Sequence, residues 1–168
     1  MALLDILEYP DPRLRIKGKS VTQFDEALCT IVNNMYETMY AQNGIGLAAI
    51  QVNIPFRIFI MDLSESRDQP VAFINPEIIS RVGTQYEAEA CLSVGGNAYD
   101  KVKRAETVKV RARNVRGETF EMEADGLKAA CIQHEMDHLE GILFIDHLSR
   151  LKQDRIRKKI EKFRSNAQ

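Results

Sequence analysis

The chain of 168 residues has few of the residue types on which several classes of protein depend. It contains no tryptophan, and only three cysteines and three histidines. The cysteines, Cys29, Cys91 and Cys131, cannot all pair with one another, so they do not form a disulfide framework. We therefore expect reduced cysteines, of which at least one is free to bind a metal.

Long apolar runs and an export signal are also missing. No apolar run is long enough to cross a bilayer, and residues 1–5 contain an acid instead of the basic region of a signal peptide. These absences predict a cytoplasmic protein with no membrane partner. Charge of one sign does not dominate either, because 23 Lys and Arg oppose 24 Asp and Glu for a net charge of −1. The overall charge therefore gives no reason to expect specific DNA binding.

The composition is typical of a single globular domain. A length of 168 residues with 45% hydrophobic residues suits one core, so we predict one domain over residues 1–168. Hydrophobic periodicity predicts a helix, then strands, then helices, an order typical of the α+β class. The predicted strands are 57–61, 71–74 (stopped by Asn75-Pro76), 107–113 and 118–123, the last two forming a hairpin.

Three helices are predicted from their end signals and their apolar faces. The first follows a capping-box pattern of Thr22 and Asp25 and ends at Asn43-Gly44. The second opens at Asp125-Gly126 and carries two histidines. Its predicted inner face consists of Leu127, Ala130, Cys131, His134 and His138. The third is a basic helix over residues 149–166, with sparse apolar positions.

The string His134-Glu135-Met136-Asp137-His138 carries the strongest chemical information in the sequence. Two histidines four residues apart lie on one face of a helix and can share a metal ion. The glutamate between them can reach a water on that metal and act as a general base. Buried imidazoles need partners, and a metal supplies one to both. The motif predicts metal-assisted hydrolysis.

A third protein ligand must come from elsewhere in the chain, because catalytic metal sites usually have three. Phe144 occupies the position of the third histidine in a longer version of the motif and cannot bind a metal. His147 lies three residues further on and is better explained as a residue of a loop or helix end. Glu161 is better explained as a solvated side chain on a charged helix, and Cys131 and Cys29 are better explained as buried core residues. Cys91 remains as the candidate, within Glu89-Ala90-Cys91-Leu92-Ser93.

Three motifs in order along the chain resemble those of one family. They are Gly44-Ile45-Gly46-Leu47-Ala48-Ala49-Ile50-Gln51, Glu89-Ala90-Cys91-Leu92-Ser93 and Gln133-His134-Glu135-Met136-Asp137-His138. On these motifs the sequence resembles peptide deformylase over nearly its whole length. The resemblance implies an α+β fold, with mixed or antiparallel sheets around a central metal-binding helix. It also implies a hydrolase that removes the formyl group from the N-terminal formyl-methionine of newly synthesised proteins and releases formate.

The resemblance implies a metal and its ligands. By resemblance, Cys91, His134 and His138 bind one divalent metal ion per chain. Fe(II) is expected from the family, and a thiolate with two imidazoles is also compatible with Zn, Ni or Co.

It also implies the groups that act on the substrate, N-formylmethionyl nascent peptides. Glu135 is implied as the general base. The side chain of Gln51 and the backbone N–H of Leu92 are implied as donors to the oxyanion. Ile45 and Gly46 are implied in holding the peptide.

Departures from the family pattern leave alternatives open. Ala90 stands where the family usually has glycine, and a positive φ there would cost an alanine on the order of 1 kcal/mol. Gly95-Gly96 replaces a usual proline. These changes allow a divergent deformylase-like paralogue with an altered substrate, or a non-catalytic metal-binding or ribosome-binding protein. A metallopeptidase shares the motif of residues 134–138, but Phe144 and the other two motifs argue against it.

The basic terminal helix has two interpretations. A solvated helix that docks through its few apolar residues is the simpler one. The second is contact with ribosomal RNA, which the implied nascent-chain substrate makes reasonable. Its basic residues are Arg150, Lys152, Arg155, Arg157, Lys158, Lys159, Lys162 and Arg164.

Overall fold

A computed structural model describes residues 2–95 and 98–167, and it has the predicted α+β architecture. The helices are α1 (Glu26–Ala41), α2 (Gly126–Leu139) and α3 (Arg150–Ala167). Short 3-10 helices cover Pro12–Arg15, Ala49–Val52 and Phe144–His147. The strands are β1 (Gly46–Ala48), β2 (Ile58–Met61), β3 (Val71–Val82), β4 (Gln85–Glu89), β5 (Asp100–Arg104), β6 (Thr107–Arg113) and β7 (Thr119–Asp125).

Helix α1 forms as predicted, but it begins at Glu26, later than a cap at Thr22 implies. Asp25 itself is the N-cap, and its side chain accepts a hydrogen bond from the Leu28 N–H at 3.1 Å. The predicted capping box of Thr22 and Asp25 is therefore wrong. The buried face of the helix is formed by Leu28, Val32, Met35, Thr38 and Met39.

The strands form a five-stranded sheet in the order β1-β2-β3-β6-β7 and a two-stranded sheet of β4 and β5. All of these strand pairs are antiparallel. The hairpin of β6 and β7 is confirmed. Strand β1 lies at one edge of the larger sheet, so one of its sides is not paired with a strand of that sheet.

Strand β3 is longer than predicted, because Asn75-Pro76 does not stop it. The pairing with β6 shifts register between Ile74 and Glu77, and Asn75 adopts a left-handed φ of 52°. The Asn75 side chain accepts from the Val21 N–H at 2.8 Å and donates to the Val21 carbonyl at 2.9 Å. A bulge supported by these bonds lets the strand continue past the proline.

Helix α2 lies at the centre of the fold and packs against β1, β2 and β7. Ala129, Ile132 and Leu139 are buried along it. The predicted inner face is correct except for Leu127, which is 65% exposed because it belongs to the first turn.

Helix α3 docks through Ile156 and Ile160, which join a buried cluster with Leu7, Leu14 and Phe144. In the described part of the chain, no helix combines the length and apolar character that crossing a membrane requires. The single domain over residues 1–168 stays a prediction.

Candidate metal centre and active site

Three side-chain donor atoms converge at one end of α2. His134 and His138 lie one turn apart, and their Nε2 atoms are 3.3 Å from each other. Cys91, in the turn that follows β4, places its Sγ 3.4 Å from the Nε2 of His138. All three donor atoms lie within 4.8 Å of one another. The loop is held by a hydrogen bond of 3.0 Å from the Val94 N–H to the Cys91 carbonyl.

The spacing of these atoms fits a tetrahedral metal site. Ligands at ordinary zinc distances are separated by about 3.3 Å between two nitrogens and about 3.6 Å between sulfur and nitrogen. Burial lowers the pKa of His138 well below its usual range, and the positive charge of Arg104 acts in the same direction. The neutral imidazole is the form that binds a metal. A thiolate and two imidazoles therefore make a fitting donor set.

A carboxylate behind His134 fixes the orientation of its ring. The Nδ1 of His134 lies 2.9 Å from the Oε1 of Glu89, a carboxylate oxygen that accepts, so the neutral ring carries its proton on Nδ1 and presents Nε2 to a metal. Arg104 binds both oxygens of Glu89, at 2.8 and 2.9 Å. Burial opposes the charge of Glu89, but the hydrogen bonds from Arg104 and His134 outweigh it and lower its pKa to about 2.

Arg104 connects this pair to further polar side chains of the fold. It is 6% exposed and binds Asp137 at 2.6 Å, which in turn lies 2.8 Å from the Nε2 of His147. His147 belongs to a 3-10 helix and does not belong to the metal cluster, as the sequence indicated. The structural contribution of Asp137 was not anticipated.

Glu135 lies between the two histidines in the sequence, and its side chain occupies a confined position beside Gly46 of β1. Its side chain is buried, and among the described residues its Oε1 has no hydrogen-bond partner. Burial raises its pKa to about 7. A Cβ at Gly46 would lie 2.6 Å from the Oε2 of Glu135 and 3.0 Å from the Sγ of Cys131. Only a glycine therefore lets β1 approach the carboxylate this closely.

The buried amide of Gln51 is oriented by its neighbours. Its Oε1 accepts from the Ala48 N–H at 2.9 Å, which turns the NH2 group toward the loop of Cys91. The Nε2 donates to the Ser93 Oγ at 3.0 Å and lies 3.5 Å from the Cys91 Sγ. Sequence reasoning gave Ser93 no role, although it stands in the motif around Cys91.

The N-terminal segment ties these two parts of the site together. The Leu7 N–H donates to the carbonyl of Gln51, and the Tyr9 N–H donates to the carbonyl of Ser93, each at 2.7 Å. No local pattern near residues 7–9 signals this contact, because its partners lie more than forty residues away in the sequence.

A cavity of about 1110 Å³ leads to the three candidate metal ligands. Ile45, Gly46, Leu92 and Leu127 line it on the way to Cys91, His134 and Glu135. Ile45 is 40% exposed, so the cavity wall offers an apolar side chain to a ligand. Within the described residues, the Leu92 N–H donates to no protein acceptor. Seven of the eight site residues predicted from the sequence thus line one cavity, and the eighth, His138, is buried against Cys91 and His134.

Ala90 and Gly95, two of the departures from the family pattern, line this cavity. Ala90 is exposed on the cavity wall, and it is not among the residues with positive φ. The backbone strain considered for an alanine at this position is therefore absent. Gly95 has nothing within 4 Å of where a Cβ would stand, and Gly96 lies outside the described residues.

An α+β fold of this kind, with a His-Glu-x-x-His helix, a nearby cysteine and a buried glutamate on one cavity, is typical of a metallohydrolase. Comparison with known proteins specifies which one. The family model described as polypeptide deformylase matches residues 3–154.

Curated relatives and solved structures agree with that match. A peptide deformylase of Pseudoalteromonas translucida is 56% identical over 162 residues, which are 96% of each chain. One of Neisseria gonorrhoeae is 54% identical over the same length, again 96% of each chain. The crystal structure of a Legionella pneumophila peptide deformylase is 44% identical with a TM-score of 0.94, covering 98% of this chain and 97% of that one.

The chain therefore belongs to the polypeptide deformylase family. Members of this family are hydrolases that remove the formyl group from the N-terminus of newly made proteins, and that is the activity of this chain. Nothing in these similarities favours a metallopeptidase or a paralogue with another substrate.

Proposed function

We propose that Cys91, His134 and His138 bind one divalent metal ion per chain, and that this ion is Fe(II), with Zn, Ni or Co as working substitutes. The convergence of their three donor atoms is the observation that carries the proposal. The Glu89 carboxylate supports it, because it leaves the Nε2 of His134 free to bind. Such an ion supplies Lewis-acid activation of a water molecule and of the formyl oxygen.

Glu135 is the proton carrier of the proposed mechanism. It accepts a proton from the attacking water, whose oxygen forms a bond to the formyl carbon. It then gives that proton to the amine nitrogen as the bond between carbon and nitrogen breaks and formate leaves. The confined position of Glu135 supports this role, because among the described residues no donor competes for its Oε1.

Two donors stabilise the negative oxygen that forms during the attack. The Nε2 of Gln51 faces the Cys91 loop, and the Leu92 N–H belongs to the same loop. Preorganised donors of this kind are typically worth a factor of about 10² to 10³ in rate each. Gln51 keeps its orientation without substrate, because Ala48 and Ser93 hold both ends of its amide.

The formylated peptide is placed against the edge of β1. Gly46 presents its backbone beside the cavity, and Ile45 presents an apolar side chain. An extended peptide can add to an exposed strand edge through main-chain hydrogen bonds. We propose that N-formylmethionyl nascent peptides bind in this way, and that the enzyme acts in the cytoplasm, where ribosomes produce them.

Helix α3 is the proposed ribosome contact. Its apolar residues Ile156 and Ile160 face the core, so its basic residues are directed outward. Within the described part of the chain, Arg155, Lys158 and Lys162 form no salt bridge. An exposed, unpaired basic surface favours phosphate contacts.

The substitution Glu135→Ala tests the proposed mechanism. Wild-type protein loaded with Fe(II) without oxygen is expected to release formate from a formyl-methionyl peptide. Glu135→Ala is expected to keep its metal and to lose turnover by at least about 10²-fold, because the proton carrier is gone. The exposed Glu123→Ala on β7 is the matched control and should keep full activity. A Glu135→Ala enzyme that remains largely active would contradict the proposed mechanism.

A further inference from the structure

The segment of residues 43–46, against which the peptide is proposed to bind, is hydrogen-bonded to a polar cluster outside the cavity. The cluster consists of Tyr40, Asp62, Ser64 and Arg67. After α1 the chain turns at Asn43, with a left-handed φ of 55°, and passes through Gly44 and Ile45 into β1. Because β1 has only three residues and lies at a sheet edge, its own ladder gives little support. The loop that follows β2, residues 62–69, supplies additional bonds.

Asp62 organises that loop. Its side chain is 1% exposed and accepts hydrogen bonds from the Ser64 N–H at 2.8 Å and the Ser64 hydroxyl at 2.6 Å. The Tyr40 hydroxyl donates to it at 2.6 Å, and the Gln69 N–H donates at 3.1 Å. A buried carboxylate with four donors has one geometry and fixes the loop relative to the end of α1.

Arg67 links this loop by hydrogen bonds to the proposed substrate-binding segment. Its Nη1 donates to the carbonyl of Asp62 at 2.9 Å, and its Nη2 donates to the carbonyl of Gly44. The guanidinium also lies over the ring of Tyr40, 5.2 Å from its centroid. One planar side chain thus joins the loop, helix α1 and the segment before β1.

Neighbouring backbone bonds continue the same connection. The Asp62 N–H donates to the carbonyl of Ile45 at 2.9 Å, and the Gly44 N–H donates to the carbonyl of Met39 at 3.0 Å. The carbonyls of Gly44 and Ile45, which belong to two successive peptide units, are therefore both bonded by Asp62 or Arg67. Ile45 and Gly46 meet the cavity at the next atoms of the chain.

We propose that Arg67 is a positioning residue for substrate binding, which holds the segment Gly44–Gly46 in the conformation that accepts a formylated peptide. The inference rests on the proposed placement of the peptide against β1. Arg67 touches neither the metal cluster nor the reacting atoms. Its removal affects how well the segment receives the peptide and leaves the chemical step nearly intact.

Steady-state kinetics and hydrogen exchange together test this role. With a formyl-methionyl tripeptide, Arg67→Ala is expected to raise KM about tenfold and to change kcat less than about threefold. Hydrogen exchange of the ligand-free protein is expected to accelerate in residues 43–46 of this variant. Arg67→Lys should fall between the two proteins, because one ammonium group cannot reproduce the planar fork.

Arg111→Ala is the matched control. Arg111 is an exposed arginine of β6 that binds Glu77 and Glu121, outside the cavity. It should keep the wild-type KM and the wild-type exchange of residues 43–46. A wild-type KM and wild-type exchange in Arg67→Ala would overturn the positioning role, even if its melting temperature fell. Failure of the wild-type enzyme to release formate would instead contradict the proposed function, while the exchange data would still decide the role of Arg67.

Discussion

At the residue scale, Gly46 lies so close to Glu135 that the absence of a Cβ at position 46 is expected to matter for catalysis. A Cβ at position 46 would overlap the Glu135 carboxylate and crowd the Cys131 sulfur. The carboxylate is buried, so it has little room to move aside. The glycine therefore sets both the position of Glu135, the proposed general base, and the depth of the cavity beside it.

We predict that Gly46→Ala lowers kcat/KM for a formyl-methionyl peptide by at least about 10²-fold, since misplacing a catalytic group by about 1 Å has this effect. The three proposed metal ligands are not altered, so the metal content should stay close to that of the wild type. Metal analysis beside the rate measurement separates the two effects. A variant with nearly normal kcat/KM would show that β1 can retreat from Glu135.

Asp62 predicts an acid-dependent contribution to stability. Burial acts to raise its pKa, but the hydrogen bonds from Ser64 and Tyr40 outweigh it and lower the pKa from 3.8 to about 2. A folded-state pKa below the unfolded one stabilises the protein above pH 3.8, and that contribution is lost as the pH falls toward 2. The free energy of unfolding of Asp62→Asn should depend less steeply on pH in this window. Denaturant titrations with equal pH slopes for both proteins would contradict the assignment.

At the element scale, α3 has a docked face and a basic face, and these need separate tests. Truncation would remove Ile156 and Ile160 from the core and mix a loss of stability with any loss of binding. Charge reversal at exposed positions avoids this problem. The structure thus favours substitution over the removal of the helix.

We predict that joint replacement of Lys158, Lys159 and Lys162 by Glu weakens binding to ribosomes by an order of magnitude or more at low salt. The slope of log affinity against log salt should become shallower by about two, because phosphate contacts are lost. Deformylation of a free tripeptide should not change. The same reversal at Lys17, Lys103 and Lys109, which lie outside α3, is the charge-matched control. Equal binding by both variants would end the ribosome hypothesis for α3.

Local sequence patterns predicted some strands correctly and failed for others. The hairpin of β6 and β7 alternates in burial along β6, and its sequence revealed it. Strand β4 is mostly exposed and does not alternate in burial, so no hydrophobic pattern predicted it. In β3, the Asn75-Pro76 signal for a stop was overridden by side-chain bonds to Val21, a residue 54 positions away.

At the scale of the whole molecule, the chemistry of the site was predictable, and much of its support was not. Helical spacing is enough to bring His134 and His138 together, because that geometry is local. Cys91 had to be placed by elimination and by resemblance, since its distance from α2 depends on the tertiary fold. The contacts of Leu7 and Tyr9 with the site are backbone bonds between distant segments, which no side-chain pattern encodes.

We propose that deformylation needs one ion held by Cys91, His134 and His138, and a metal titration tests this requirement. Metal-free protein is titrated with Fe(II) without oxygen, and formate release is followed beside Cys91→Ala and Cys29→Ala, a control on α1 outside the cluster. The activities of the wild type and of Cys29→Ala are expected to rise linearly with added Fe(II) and to level off at one ion per chain. Cys91→Ala is expected to stay inactive and to bind little metal. Full activity without metal, or full metal binding by Cys91→Ala, would contradict this requirement.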